Sequence, residues 1–211
     1  MEKVKANKNE LLNGWKSVFN DMGEQLNLSF PEVETAFEKR KKHLISWLSQ
    51  TEKKLDQLNE SGKGDLKKIS TKIEDLKVQA SLDKANARDA FNTQQDELNL
   101  KIHGLNNAFN EIYSNSEGDL KDFVGEAKSE LRKIQMRLEL FNMQLSLWRE
   151  DGKVEWDELK TDLKEKLATL ENNLSNNKEK VTESSDHFTN EMSQSWQHFK
   201  SAFTLRSEKI K

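Results

Sequence analysis

The chain has 211 residues, of which 34 are Lys or Arg and 37 are Asp or Glu, with one Pro, eight Gly and no Cys. A hydrophobic fraction of 34% is too small for a thick globular core, and a net charge of −3 with both signs interspersed provides no overall field for nucleic acid. Without Cys, disulfides, zinc–thiolate sites and cysteine nucleophiles are excluded, and one Pro argues against an all-β chain, which needs turn residues every ~8–12 positions.

The opening segment MEKVKANKNELLNGW has no apolar run of the kind a secretory leader carries, and no stretch approaches the ~20 apolar residues of a membrane span. A soluble, cytoplasmic chain is therefore expected. A short helix is predicted over about 6–26, separated from the next by Leu28-Ser29-Phe30-Pro31-Glu32, where Pro suits a first-turn position. From there the apolar residues recur at steps of three and four through Val33, Phe37, Leu44, Leu48, Leu55 and Leu58, a narrow helical seam. Gly64-Asp65 and Gly118-Asp119 read as hairpin turns whose Asp caps the helix that follows.

Between those turns the seam runs through Leu66, Ile69, Ile73, Leu76 and Ala80 and continues through Ala87, Phe91, Leu98, Ile102, Leu105 and Phe109. The intervening Leu82-Asp83-Lys84-Ala85-Asn86-Ala87-Arg88-Asp89 has neither Pro nor Gly and is read as helix. After Gly118 the seam takes up Leu120, Ala127, Leu131, Ile134, Leu138, Phe141, Leu145 and Trp148, then Trp156, Leu159, Leu163, Leu167, Leu170, Leu174 and Val181. A last turn is placed at 183–186 in preference to the Asn-rich stretch 172–177, because Leu174 and Val181 stay in phase. These steps predict four main helices, about 31–61, 65–116, 119–182 and 186–208, the second roughly 75 Å long at 1.5 Å per residue.

Internal repetition supports this division. Gly64-Asp65-Leu66-Lys67 recurs as Gly118-Asp119-Leu120-Lys121, 54 residues on, and Val78-Gln79-Ala80-Ser81-Leu82 matches Met143-Gln144-Leu145-Ser146-Leu147 at an offset of 65. The offsets differ by 11, three helical turns, so an insertion of that length keeps the apolar face in register. The expected fold is all-α: an elongated antiparallel bundle or coiled coil of long helices over 29–211, about three helices at most levels, preceded by the short helix in 1–28. In such a bundle Trp47 and Trp156 come to similar heights.

The segment Lys72-Ile73-Glu74-Asp75-Leu76-Lys77-Val78-Gln79-Ala80-Ser81-Leu82 through Phe91, with the closing Ser195-Trp196-Gln197-His198-Phe199, resembles a bacterial family of small stress-response coiled-coil proteins. The resemblance covers about half the chain. It implies helical hairpins and a part in stress tolerance without an active site.

Nothing in the chain marks a reaction. No two of His43, His103, His187 and His198 lie three or four residues apart, and no Glu-x-x-His pattern for a carboxylate-bridged di-metal bundle is present. Phosphate-loop and nucleophile-elbow patterns are also missing, so no enzyme, metal or cofactor is expected. The candidate partner contacts are the basic run Lys39, Arg40, Lys41 and Lys42 and the tryptophans Trp47, Trp148 and Trp196. The preferred reading is a non-enzymatic scaffold that binds a protein or itself through helical faces. A membrane-surface or lipid-binding amphipathic protein is the alternative, disfavoured because a narrow seam flanked by Glu, Asp and Asn differs from the broad apolar face of interfacial helices.

Overall fold

The computed structural model describes residues 2–59, 66–82, 88–147, 160–165, 167–169, 171–172, 189–190, 192–198 and 200–201, and it is all-α. Its long helices are α1 (Glu2–Gln25), α2 (Phe30–Asn59), α3 (Lys67–Ser81), α4 (Arg88–Asn115) and α5 (Gly118–Leu147). No helix among the described residues is long and apolar enough to cross a membrane.

The helix ends follow from local chemistry. At the end of α1 the amides of Asn27 and Leu28 reach back three residues, to the carbonyls of Glu24 and Gln25, while the Asn27 side chain donates to the Gly23 carbonyl at 3.2 Å. Those bonds satisfy carbonyls that have lost their partners four residues on. The α4 end is closed by Ser114, Asn115 and Ser116, whose side chains donate to the carbonyls of Asn110, Glu111 and Ile112. Gly118 then takes φ +59°, a left-handed value that glycine adopts without strain, and α5 begins there. The turn at 115–119 thus falls where the sequence places it. The turns expected at 61–65 and 183–186 lie outside the described residues, as do Trp148, Trp156 and any continuation of α5 beyond 147.

The chain divides into two compact units, one of Met1–Phe30 with Met143–Lys211 and the other of Pro31–Asn142. In the second unit, residue pairs fix how the helices run. Lys77 on α3 bonds Glu52 on α2 at 2.9 Å, and Lys41 on α2 reaches the Leu82 carbonyl at 2.7 Å. Between α3 and α4, Gln79 bonds Glu97, Asp75 lies 3.9 Å from Lys101, and Lys68 pairs with Glu111. Asn106 on α4 bonds Gln135 on α5 at 3.1 Å, and Lys128 sits 4.3 Å from the Tyr113 ring centre. Phe141 on α5 meets Phe37 on α2 edge to face at 5.9 Å, and Lys54 lies over Phe123. In every pair a rising number on one helix meets a falling number on the other. Hence α2, α3, α4 and α5 run up and down as an antiparallel four-helix arrangement.

This corrects the expected helix over 65–116. The chain leaves the helix at Leu82, where ψ is 136°, and α4 returns alongside α3. The expected seam is buried from Leu66 to Ala80 and from Leu98 to Phe109, while Ala87 and the Phe91 side chain lie outside the described residues, and the reversal between the helices has no Pro or Gly to announce it. Its stabilising contacts come instead from Lys41 and Gln94, both distant in sequence. With this extra reversal, the described residues of unit 2 form four helices where three were expected.

The core of unit 2 is the predicted seam: Phe37, Leu44 and Leu48 on α2, Ile69, Ile73 and Leu76 on α3, Leu98, Ile102, Leu105 and Phe109 on α4, and Leu131, Ile134 and Leu138 on α5 are all buried. On α5 burial extends further, since every residue of 134–141 is buried, Gln135, Arg137 and Glu139 included. In unit 1, α1 buries Trp15, Val18, Phe19 and Met22, one face at helical spacing that Leu26 continues just past its end, with the Trp15 and Phe19 rings tilted against each other at 6.3 Å. Gln25 and Gln144 are buried there and bonded reciprocally, side chain to side chain at 3.0 Å and Gln144 amide to Gln25 carbonyl at 2.8 Å.

Candidate interaction surface

On α3 the buried stripe passes through Leu76 and Ala80, and Val78, two residues from each, falls about 200° away on the opposite face. Leu100 stands in the same relation to Leu98 and Ile102 on α4. Because 79 pairs with 97 and 75 with 101, Val78 and Leu100 lie within about two residues of the same height, roughly 3 Å. Val78 is 62% exposed, Leu100 70% and Leu82, at the end of α3, 44%. The outer face of the α3–α4 hairpin therefore presents an apolar patch.

Charged groups near the patch hold one another. Lys77 donates to Glu74 and Glu52, each at 2.9 Å. The Lys77 hydrogen bond is the chief reason the Glu74 carboxyl sits below its ordinary pKa, and bonds to Glu74 and then Glu52 raise that of Lys77. Gln79 with Glu97 and Asp75 with Lys101 continue the row along the α3–α4 groove.

The basic run does not form one patch. Lys39 and Lys42 are exposed and Arg40 is half-buried, but Lys41 is 2% exposed and points inward, bonded to Glu38 at 3.1 Å and to the Leu82 carbonyl, with the Phe37 ring at 5.8 Å. Its position explains this: Phe37, Lys41, Leu44 and Leu48 step by 4, 3 and 4, so Lys41 stands on the core stripe of α2. That spacing was readable in the sequence, but the charge hid it. Trp196 is 1% exposed and belongs to the core of unit 1, so as packed it offers no surface to a partner, whereas Trp47 is half-buried. His43, His103 and His198 are exposed. Among the described residues no group of three or more His, Asp or Glu side chains is placed to hold a metal ion.

A second polar set joins α4 to α5. Arg132 donates to Gln135 at 2.9 Å, Gln135 receives Asn106 and donates to Glu139 at 3.0 Å. Burial works against the Arg132 charge and lowers its pKa, while Glu139 supports it; a guanidinium stays protonated under such opposition. Toward the α4–α5 turn the Tyr113 ring lies against Gly125, where a Cβ would come within 3.2 Å of it, with Lys121 and Lys128 over the ring. These groups satisfy each other across one helix interface, an arrangement that fixes the register between two helices.

Fold and surface together define an all-α protein whose polar interior groups tie helix to helix. No family model, curated protein or solved structure matches the chain.

Proposed function

We propose that the protein is a non-enzymatic, elongated helical scaffold of the cytoplasm, associated with stress tolerance, that binds a protein partner on the outer face of the α3–α4 hairpin. The observation that carries this reading is the exposure of Val78, Leu82 and Leu100 together in a chain with so few apolar residues to bury. The charged and polar pairs beside them support it, because a polar rim around a small apolar centre is the usual anatomy of a protein contact. Interhelical bonds such as Gln79 to Glu97 keep that face in one register.

The test is a comparison of the wild-type chain with the double substitution Val78→Asp, Leu100→Asp, using in-cell cross-linking and identification of what is captured. Both positions are exposed, so the variant should melt at an unchanged temperature yet lose one or more defined protein partners. Identical capture by both proteins would overturn the reading, and so would selective binding to vesicles of anionic phospholipid with no protein captured.

A further inference from the structure

The buried stripes of α3 and α4 are in phase across the reversal that separates them. Ile69, Ile73, Leu76 and Ala80 on one helix and Leu98, Ile102, Leu105 and Phe109 on the other share the spacing 4, 3, 4. From Ala80 to Leu98 is 18 residues, or five turns of 3.6, so a straight helix over 67–115 would carry both stripes on a single face. The sequence between them, with no Pro or Gly, charges such a helix only the modest penalties of Asp and Asn. Two arrangements therefore bury the same side chains: the hairpin within one chain, or a straight helix whose stripe is covered by another chain.

The Leu82 carbonyl distinguishes them. In a continuous helix it would accept the amide of Asn86, four residues on. Here it accepts the Lys41 ammonium at 2.7 Å and the Gln94 amide at 3.4 Å. Lys41 is buried on the α2 core stripe, steadied by Glu38, and a cation at a helix C-terminus is favoured by the helix dipole. The same contact that caps α3 competes with its continuation.

We propose that this protein forms a hinge-exchanged dimer, in which 67–115 straightens and the α2–α3 half of one chain packs against the α4–α5 half of a second copy, Lys41 acting as the latch that favours the closed monomer. A second copy is the fitting occupant because the separated halves are already complementary. Phe37 meets Phe141, Gln79 meets Glu97 and Gln25 meets Gln144 in the dimer as in the monomer, only between chains. What differs is the hinge and the entropy of association, so the balance depends on protein concentration. The exchange deepens the scaffold reading, resting on it only for its consequence: a dimer would present two outer faces in place of one.

The test refolds the full-length chain at increasing concentration and measures its mass in solution by light scattering. The wild type should give a dimer fraction that grows with refolding concentration. Lys41→Met should raise it severalfold, and inserting Gly-Gly between Ala85 and Asn86, which rotates the two stripes out of phase by about 200°, should suppress it. Asn86→Ala, which strengthens the straight helix without touching the latch, should also raise it and serves if Lys41→Met does not fold. Because the chain has no Cys, an Asp75→Cys, Lys101→Cys variant bridged by a short bismaleimide reports the topology directly. Its dimer fraction should be joined chain to chain and its monomer bridged within one chain. Bridges confined to single chains in the dimer fraction would overturn the proposal, as would strictly monomeric wild type, Lys41→Met and Asn86→Ala proteins at millimolar concentration. The Val78 and Leu100 positions take no part in the exchange, so partner capture and hinge exchange fail separately.

Discussion

Single residues in this protein are explained by their phase on a helix more than by their type. Lys41 is basic, but it stands where a leucine would, and its stem packs in the core while its ammonium caps α3. Gln25 and Gln144 occupy a core too, and each satisfies the other, which removes most of the cost of burying two amides. Gly104 is the opposite case, a residue whose special freedom is not used. It lies in the interior of α4, and a Cβ built there meets only the end of the Lys72 side chain, at 4.0 Å. Gly104→Ala should therefore stabilise the protein by about 0.5–1 kcal/mol, the helix-interior difference between the two residues. Urea denaturation would show this as a higher midpoint at unchanged slope, and a lower midpoint would contradict it.

Helices pair in unit 2 through a few polar contacts laid over an apolar stripe, and the Lys77 group joining α2 to α3 has a perturbed charge behaviour at both ends of the pH range. Lys77→Met should cost ~0.2–1 kcal/mol at neutral pH, the range of partly exposed ion pairs. The Glu74 carboxyl has a lowered pKa in the fold, so its contribution is present above the unfolded pKa and disappears as the pH falls through the folded one. Lys77 has a raised pKa, so its contribution disappears only as the pH rises through that higher value. The stability gap between wild type and Lys77→Met should accordingly be flat from about pH 5 to 10 and close at either extreme. Equal gaps at pH 3 and pH 7 in denaturant titrations would show that packing, not charge, joins α2 to α3. The same elements show what the sequence disclosed. The buried apolar stripes of α2, α3, α4 and α5 are legible because 3.6-residue periodicity survives in local spacing, and the Gly118 turn because glycine marks it. The end of α3 was not legible, since residues 82–89 form a sound helical sequence and the reversal is held by Lys41, 41 residues away. The buried polar residues of α5 were missed for a related reason: Gln135, Arg137 and Glu139 resemble a solvated face until other helices cover them. Of the candidate surface, the sequence singled out charges and tryptophans, whereas the exposed Val78 and Leu100 sat unremarked because two apolar residues off phase are common on any helix.

At the scale of unit 2, the up-and-down order of α2 to α5 and the face that it leaves outside both depend on the chain turning back between α3 and α4. If it did not, Val78 and Leu100 of one chain would lie on one long rod, at heights about 33 Å apart at 1.5 Å per residue, and no patch would form within a single chain. A pair of spin labels at the exposed positions Lys68 and Glu111, which pair across the hairpin, tests this in the dilute monomer by electron–electron dipolar spectroscopy. The fold described here predicts a separation below about 20 Å, two helix axes ~8–10 Å apart plus the label arms. A monomer showing about 65 Å, the length of 43 residues of unbroken helix, would contradict it.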